Sequence, residues 1–181
     1  TQLLKEKDLL PNLFALLDHQ RETIRKDTLW ILLNTTVGSP VQFERVMGNN
    51  DFIEKVIHLA KTDSQNVKKE ADYFLCQSID ECPPAQIIRI LDNGVYDCLI
   101  EFLELNDDEE IWKTALKGIS KCLKRGKKYN LNDESGANKF MIRLKINGGV
   151  AKLKNLQTHQ NQNISKAVLF ILENYFDVGD V

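Results

Sequence analysis

What most constrains this chain is that it resembles itself. The segment IRKDTLWILLN begins at Ile24, its pattern returns as VKKEADYFLCQ from Val67, 43 residues on, and again as IWKTALKGISK from Ile111, after a further 44. In each copy apolar or small side chains recur at four-residue steps: Ile24, Thr28, Leu32; Val67, Ala71, Leu75, Ile79; Ile111, Ala115, Ile119, Leu123. Such steps place them on one stripe of a helix. A fourth copy, ISKAVLFILENYF, starts at Ile164 and carries Val168, Leu172 and Phe176 in the same phase. It follows after 53 residues, because the polar stretch RGKKYNLNDESGANK is inserted ahead of it.

Shorter apolar helices are expected before each long one, in PNLFALLD, DFIEKVIHLAK, GVYDCLIEFLEL and GVAKLKNLQ. Ahead of these come still shorter segments, SPVQFERVMG and PPAQIIRILDNG. There Ser39 suits an N-cap, Pro40 and Pro84 suit first-turn positions, and the glycines suit stops. Three helices in a period of forty-odd residues is the armadillo plan. The predicted fold is an all-α, right-handed superhelical armadillo solenoid of about four repeats. One such repeat cannot bury its apolar face alone, so neighbours stack into one core and the third helices line a concave groove. The repeats divide as 1–38, a partial first unit; 39–82; 83–126; and 127–181, the insert with the last unit. The first unit lacks most of its opening helix, so the chain reads as a fragment of a longer solenoid, with Leu3, Leu4 and Leu13 near an end that packs on an upstream repeat.

Composition and motifs exclude several function classes. Lys+Arg 24 against Asp+Glu 26 gives a net charge of -2, so a strongly basic nucleic-acid binder is excluded and direct contact with nucleic acid is not expected. The final DVGDV adds two acids at an end expected to fray. Nothing approaches 18 consecutive apolar residues and the N-terminus lacks signal-peptide character, so no membrane span is expected and the cytoplasm or nucleus is the expected location. Cys76, Cys82, Cys98 and Cys122 match no zinc or thioredoxin spacing and are expected to be reduced. His19, His58 and His159 form no HExxH pair, and no GxGxxG, GxxxxGK or GxSxG occurs. The chain is therefore expected not to be an enzyme and to need neither metal nor cofactor. Asn34-Thr-Thr and Asn163-Ile-Ser match the glycosylation pattern by chance, and Lys124, Arg125, Lys127 and Lys128 are expected in a solvated loop after a helix end.

Function is expected on the stripe about 90° from the core direction, where Asp27, Trp30 and Asn34 cluster. An Asn amide can donate to and accept from the main chain of an extended peptide. A Trp ring can hold the aliphatic stem of Lys or Arg and attract its charged head, and a carboxylate supplies countercharge. Glu70, Tyr73 and Gln77 occupy the same three positions one repeat on. Periodicity alone leaves a second reading open, in which Trp30 and Tyr73 pack between repeats and Asn34 bonds back within its helix. In the third copy Lys117 and Lys121 take the positions of Tyr73 and Gln77, where two ammonium groups should stop a basic peptide.

IRKDTLWILLNTTVGSPVQ resembles the armadillo repeats of the importin-alpha family, adaptors that bind nuclear localisation signals. NGGVAKLKNLQTHQNQNISKAVLFILENYF is similar to the C-terminal repeat of that family, down to its closing Glu-Asn-Tyr-Phe. The resemblance covers essentially the whole chain and implies the C-terminal half of the armadillo domain. It implies a minor cargo site, with Trp30 and Asn34 as one rung and Asp27 and Glu70 as the acids. Tyr73 and Gln77 depart from the usual Trp and Asn. Implied partners are cargo proteins with Lys/Arg-rich nuclear localisation signals, importin-beta through a segment absent from this chain, and a recycling exportin with Ran. The implied location is shuttling between cytoplasm and nucleus. The alternative is a generic armadillo scaffold indifferent to basic peptides.

Overall fold

The computed structural model describes residues 9–36, 39–105 and 108–176, and Leu3, Leu4 and the closing DVGDV lie outside them. The chain divides into two compact units, Thr1–Pro83 and Pro84–Val181. Both are helical, and the described residues hold no strand beyond an isolated bridge between Asn132 and Asn138.

In the first unit α1 (Leu10–Leu16) leads to the long α2 (Glu22–Thr36), followed by α3 (Pro40–Met47), α4 (Asn50–Thr62) and the long α5 (Gln65–Glu81). The starts follow local chemistry. Ser39 caps α3 by accepting from the Gln42 amide at 3.2 Å, with Pro40 in the first turn, where a missing N–H costs nothing. Asn49 caps α4 by accepting from the Phe52 amide at 3.0 Å. The four-residue steps point inward as the period requires: Thr28, Leu32, Val67, Ala71, Leu75 and Ile79 are buried. Phe52 links the layers, stacking on Phe14 at 4.5 Å and meeting Phe74 edge-on at 5.6 Å. Arg25 then ties α2 to the end of α4. Its guanidinium grips Asp63 with two bonds of 2.7 and 2.5 Å and donates to the His19 and Gln20 carbonyls at 2.6 and 3.0 Å. Facing Arg25, Asp63 is held below its ordinary carboxylate pKa.

The second unit runs through a 3-10 turn at Pro84–Gln86, the one-turn α6 (Arg89–Asp92), α7 (Val95–Leu105), the long α8 (Glu109–Lys128), α9 (Lys139–Ile146), α10 (Gly149–Leu156) and α11 (Gln162–Tyr175). Ile111, Ala115, Ile119, Leu123, Ile164, Val168 and Leu172 are buried, so the phase holds here too. Tyr96 and Phe140 pack edge-on at 5.1 Å, and Asp97 on α7 receives the Arg143 guanidinium and, at 2.7 Å, the Asn147 amide. All four cysteines are buried and free.

Three local expectations are corrected. The run from Lys124 to Lys128 lies in the last turns of α8 rather than in a loop beyond it. Cations there complement the C-terminal end of the helix dipole, while Glu109 and Glu110 complement its start. Gly126 belongs in this helix because Asn138 lies against it: a Cβ would come within 2.3 Å of the Asn138 Oδ1. Asn138 in turn donates to the Leu123 carbonyl at 2.9 Å and caps α9 by accepting from the Phe140 amide at 3.0 Å. The insert is correspondingly shorter than read from sequence, a turn held by Asp133, which accepts from Ser135 and Ala137 amides at 3.0 Å. PPAQIIRILDNG is broken into a 3-10 turn and one turn of α-helix, not a single short helix. The interruption falls at Ile87 and Ile88, whose carbonyls accept from the Ile90 and Leu91 amides at 3.1 and 2.9 Å, the tighter three-residue spacing of a turn.

Candidate peptide-binding face

α2 and α5 pack against each other within the first unit and carry all six residues singled out by sequence. Asp27, Trp30 and Asn34 are exposed on α2, and Tyr73 is exposed on α5, with Glu70 and Gln77 half-buried. Trp30 keeps 59% of its surface and Tyr73 48%, so neither ring is consumed by packing between repeats. Large rings left open on a folded surface are available to a partner.

The amides differ. Asn34 donates from Nδ2 to the Trp30 carbonyl at 2.9 Å, the internal bond that the second sequence reading required. That bond uses one of the four hydrogen-bonding positions of the side chain and fixes the orientation of the others. Both features therefore coexist: the amide is braced within its helix and exposed. Gln77 is directed along α5, its Nε2 lying 3.5 Å from the Glu81 carboxylate.

The acids are coupled across the two helices. Glu70 titrates above the ordinary glutamate value, chiefly because it is half-buried; Lys26 opposes the rise and the charge of Asp27 adds to it. Two carboxylates from neighbouring helices thus feel each other, with one partly removed from water. A cation placed on this face would relieve both penalties. Among the described residues no cluster of His, Cys, Asp and Glu could hold a metal ion, and no helix is long and apolar enough to cross a membrane.

A second aromatic–amide pair went unremarked in the sequence. On α11 Phe170 is exposed, and Asn174 donates from Nδ2 to the Phe170 carbonyl at 2.8 Å. Aligning Ile164 with Ile24 puts Phe170 on Trp30 and Asn174 on Asn34, so the signal was present in the register of the fourth copy. Ala167 stands where Asp27 would, and α8 beside it carries Lys117 and Lys121.

Comparison with known proteins bears directly on these repeats. The chain is 31% identical to importin subunit alpha-4 of Arabidopsis thaliana over 164 residues, 89% of this chain and 30% of that protein. It is 29% identical to importin subunit alpha-5 of the same plant over 153 residues, 84% of this chain and 28% of that one. Residues 138–181 match the atypical Arm repeat family. Over most of its length this chain is similar to part of an importin alpha subunit. It spans about 30% of the length of those importin subunits. Similar solved structures include a designed armadillo repeat protein in complex with a (KR)4 peptide, with a TM-score of 0.59 and 23% identity over 95% of this chain and 84% of that one. Another is a set of computationally designed armadillo repeat proteins for modular peptide recognition, with a TM-score of 0.57 and 22% identity over 97% and 85%. These likenesses establish the armadillo fold.

Proposed function

We propose that the α2–α5 face holds basic nuclear localisation signals of cargo proteins, as the minor site of a nuclear import adaptor. The observation that carries the reading is the braced, exposed Trp30–Asn34 rung standing beside Asp27 and the half-buried Glu70. In this reading Asn34 binds the main chain of an extended segment and fixes its register. The rings of Trp30 and Tyr73 flank the stems of Lys or Arg side chains, and Asp27 and Glu70 receive their charges. Gln77, engaged with Glu81, is the weaker main-chain contact. The relatives named importin subunit alpha and the armadillo protein seen with (KR)4 support this assignment of ligand class. By the same family relation, importin-beta and a recycling exportin with Ran are proposed as partners of the whole protein, which would shuttle between cytoplasm and nucleus.

The test is fluorescence anisotropy with a labelled Lys/Arg-rich peptide at two salt concentrations. Binding that weakens with salt and with Trp30→Ala, while circular dichroism remains that of the parent, is the expected result. Binding indifferent to Trp30→Ala and Asn34→Ala would leave a scaffold that does not discriminate basic peptides.

A further inference from the structure

An apolar groove of the second unit is left uncovered. It lies between α6 and α9, a cavity of about 500 Å³ lined by Ile88 and Leu91 at α6 and by Ile142 and Ile146 of α9. Ile142 and Ile146 stand four residues apart and share one side of α9. Ile88, Leu91 and Ile142 are half-buried, whereas Ile146 keeps 72% of its surface, more than any other large apolar side chain among the described residues. Two acids border the same groove, Asp92 exposed at the end of α6 and Asp133 in the turn ahead of α9. Asp133 is held below the ordinary aspartate pKa, first by the Ser135 hydroxyl, and so stays charged. Of the two cations there, Arg143 donates to both carboxylate oxygens of Asp97, which leaves Lys139 opposing two carboxylates. No Asn, Gln, Ser or Thr is among the described residues that line the groove.

We infer that this groove docks an amphipathic helix of a partner protein, its apolar stripe against Ile88, Leu91, Ile142 and Ile146 and its flanking Lys or Arg side chains on Asp92 and Asp133. The lining decides the backbone of the occupant. An extended segment laid over apolar side chains, with no amide or hydroxyl to meet it, would leave main-chain N–H and C=O groups unpaired, whereas a helix pairs its own. α9 is about 12 Å long, so two turns of the occupant reach it and apolar anchors at i, i+3 and i+7 suffice. The charges decide the flank: a basic one gains two carboxylates and meets one ammonium group, an acidic one the reverse. The face proposed for basic signals lies in the other unit and offers the Asn34 amide to an extended main chain, so this site stands independently of that reading.

The probe is a fluorescein-labelled (Lys-Leu-Ala-Ala-Leu-Glu-Ala)2 peptide, whose leucines form one helical stripe with lysines along one flank and glutamates along the other, so that its side chains carry no net charge. Anisotropy is measured with the full chain at moderate salt. Binding is expected that weakens at least fivefold in Ile146→Ser and about threefold in Asp92→Lys, and that is unchanged in Trp30→Ala. Val41→Ser and Asp51→Lys, matching changes at exposed positions of the first unit, should stay within twofold of the parent. Replacing the lysines of the probe by glutamates is expected to weaken binding to the parent about threefold, and Asp92→Lys should recover it. Should Ile146→Ser fail to fold by circular dichroism, this exchange of charges at the exposed Asp92 carries the test. Failure of the parent to bind, or equal losses from Ile146→Ser and Val41→Ser, overturns the inference. So does equally tight binding by a probe with proline at the alanine that joins its two halves, since the occupant would then not be a helix. A dimer of the chain itself in sedimentation, abolished by Ile146→Ser, would give the groove to a second copy and overturn it too. Loss of basic-peptide binding in Trp30→Ala would leave this result standing, and the reverse.

Discussion

In the first unit Trp30 and Asn34 stand with Asp27 and Glu70; in the second, Phe170 and Asn174 stand with Lys117 and Lys121. The braced amide is the same in both, at 2.9 and 2.8 Å. The entries to the two helices are alike as well: His19 accepts from the Arg21 amide at 3.0 Å and His159 from the Asn161 amide at 3.1 Å. What differs is charge. Repeat phase dictates which positions are buried and which are left open, because the four-residue core steps must all face inward. It places no such demand on the sign of an exposed side chain, whose replacement usually changes stability by less than about 0.5 kcal/mol. The fold therefore keeps the braced amide in both units and leaves the sign of the neighbouring charges free to differ.

The comparison is broken most severely by making the first unit electrostatically like the second. Asp27→Lys with Glu70→Lys is expected to cost a basic peptide about 2–3 kcal/mol, roughly a hundredfold, since two attractions become two repulsions at short range. The same variant should gain measurable affinity for an acidic peptide. Anisotropy with both peptides checks each arm, and a basic peptide that binds the double variant as it binds the parent would show that these acids do not face the ligand.

Next in size is the ring. Trp30→Ala removes stem packing and cation–π attraction and is expected to weaken a basic peptide by about 0.5–2 kcal/mol. Trp30→Phe imports the ring found at Phe170 and should cost less than half of that, because an aromatic wall remains while its pull on a cation falls. Titration calorimetry resolves the two. Equal losses would mean that the indole itself, through its N–H, makes the contact.

How much of this was legible in the sequence depends on whether a feature is set by neighbours along the chain or across it. The core phase was legible, since Val67, Ala71, Leu75 and Ile79 lie on one stripe whatever they pack against. The cap at Ser39 followed from position in the repeat, whereas periodicity left open whether Trp30 is exposed or packed between repeats, and packing leaves it exposed. The helical state of the run from Lys124 to Lys128 was not legible: it depends on Asn138, which seats itself against Gly126 and bonds the Leu123 carbonyl. A glycine among lysines has no local feature announcing such a partner. Glu70 was read as an acid supplying countercharge, but its half-burial and raised pKa were not readable, because they are tertiary effects. Phe170 and Asn174 were readable by register alone, but the 53-residue spacing and the missing acid obscured the match.

A smaller effect separates the two amides of the first unit. Asn34→Ala removes a braced, exposed group and is expected to weaken a basic peptide by about 0.5–1.5 kcal/mol. Gln77→Ala should cost less, because that amide is already directed towards Glu81. Relative affinities from anisotropy decide the order, and a larger loss at Gln77 would reverse the assignment of the main rung.

The smallest effect is also the one that reports on Glu70 itself. In the free protein burial raises its pKa and the Asp27 charge adds to that, with Lys26 opposing. A bound ammonium group favours the ionised carboxylate, so protons and basic peptide compete for Glu70. Affinity should therefore be full above the raised pKa and decline as pH falls through it, beginning at a higher pH than an ordinary glutamate would give. The change is about threefold, the scale of one partly exposed ion pair. Glu70→Gln should show the weaker affinity at every pH and lose this inflection. Stability moves in the opposite sense: a carboxyl whose pKa is higher folded than unfolded favours the fold most when protonated, and that contribution is lost as pH rises through the raised value. Relative to the parent, Glu70→Gln should therefore melt at a slightly higher temperature near neutrality, with the advantage vanishing in acid below the ordinary glutamate range. Parallel melting curves at the two pH values check this, and a variant that is both less stable at neutrality and unchanged in affinity would remove Glu70 from the site.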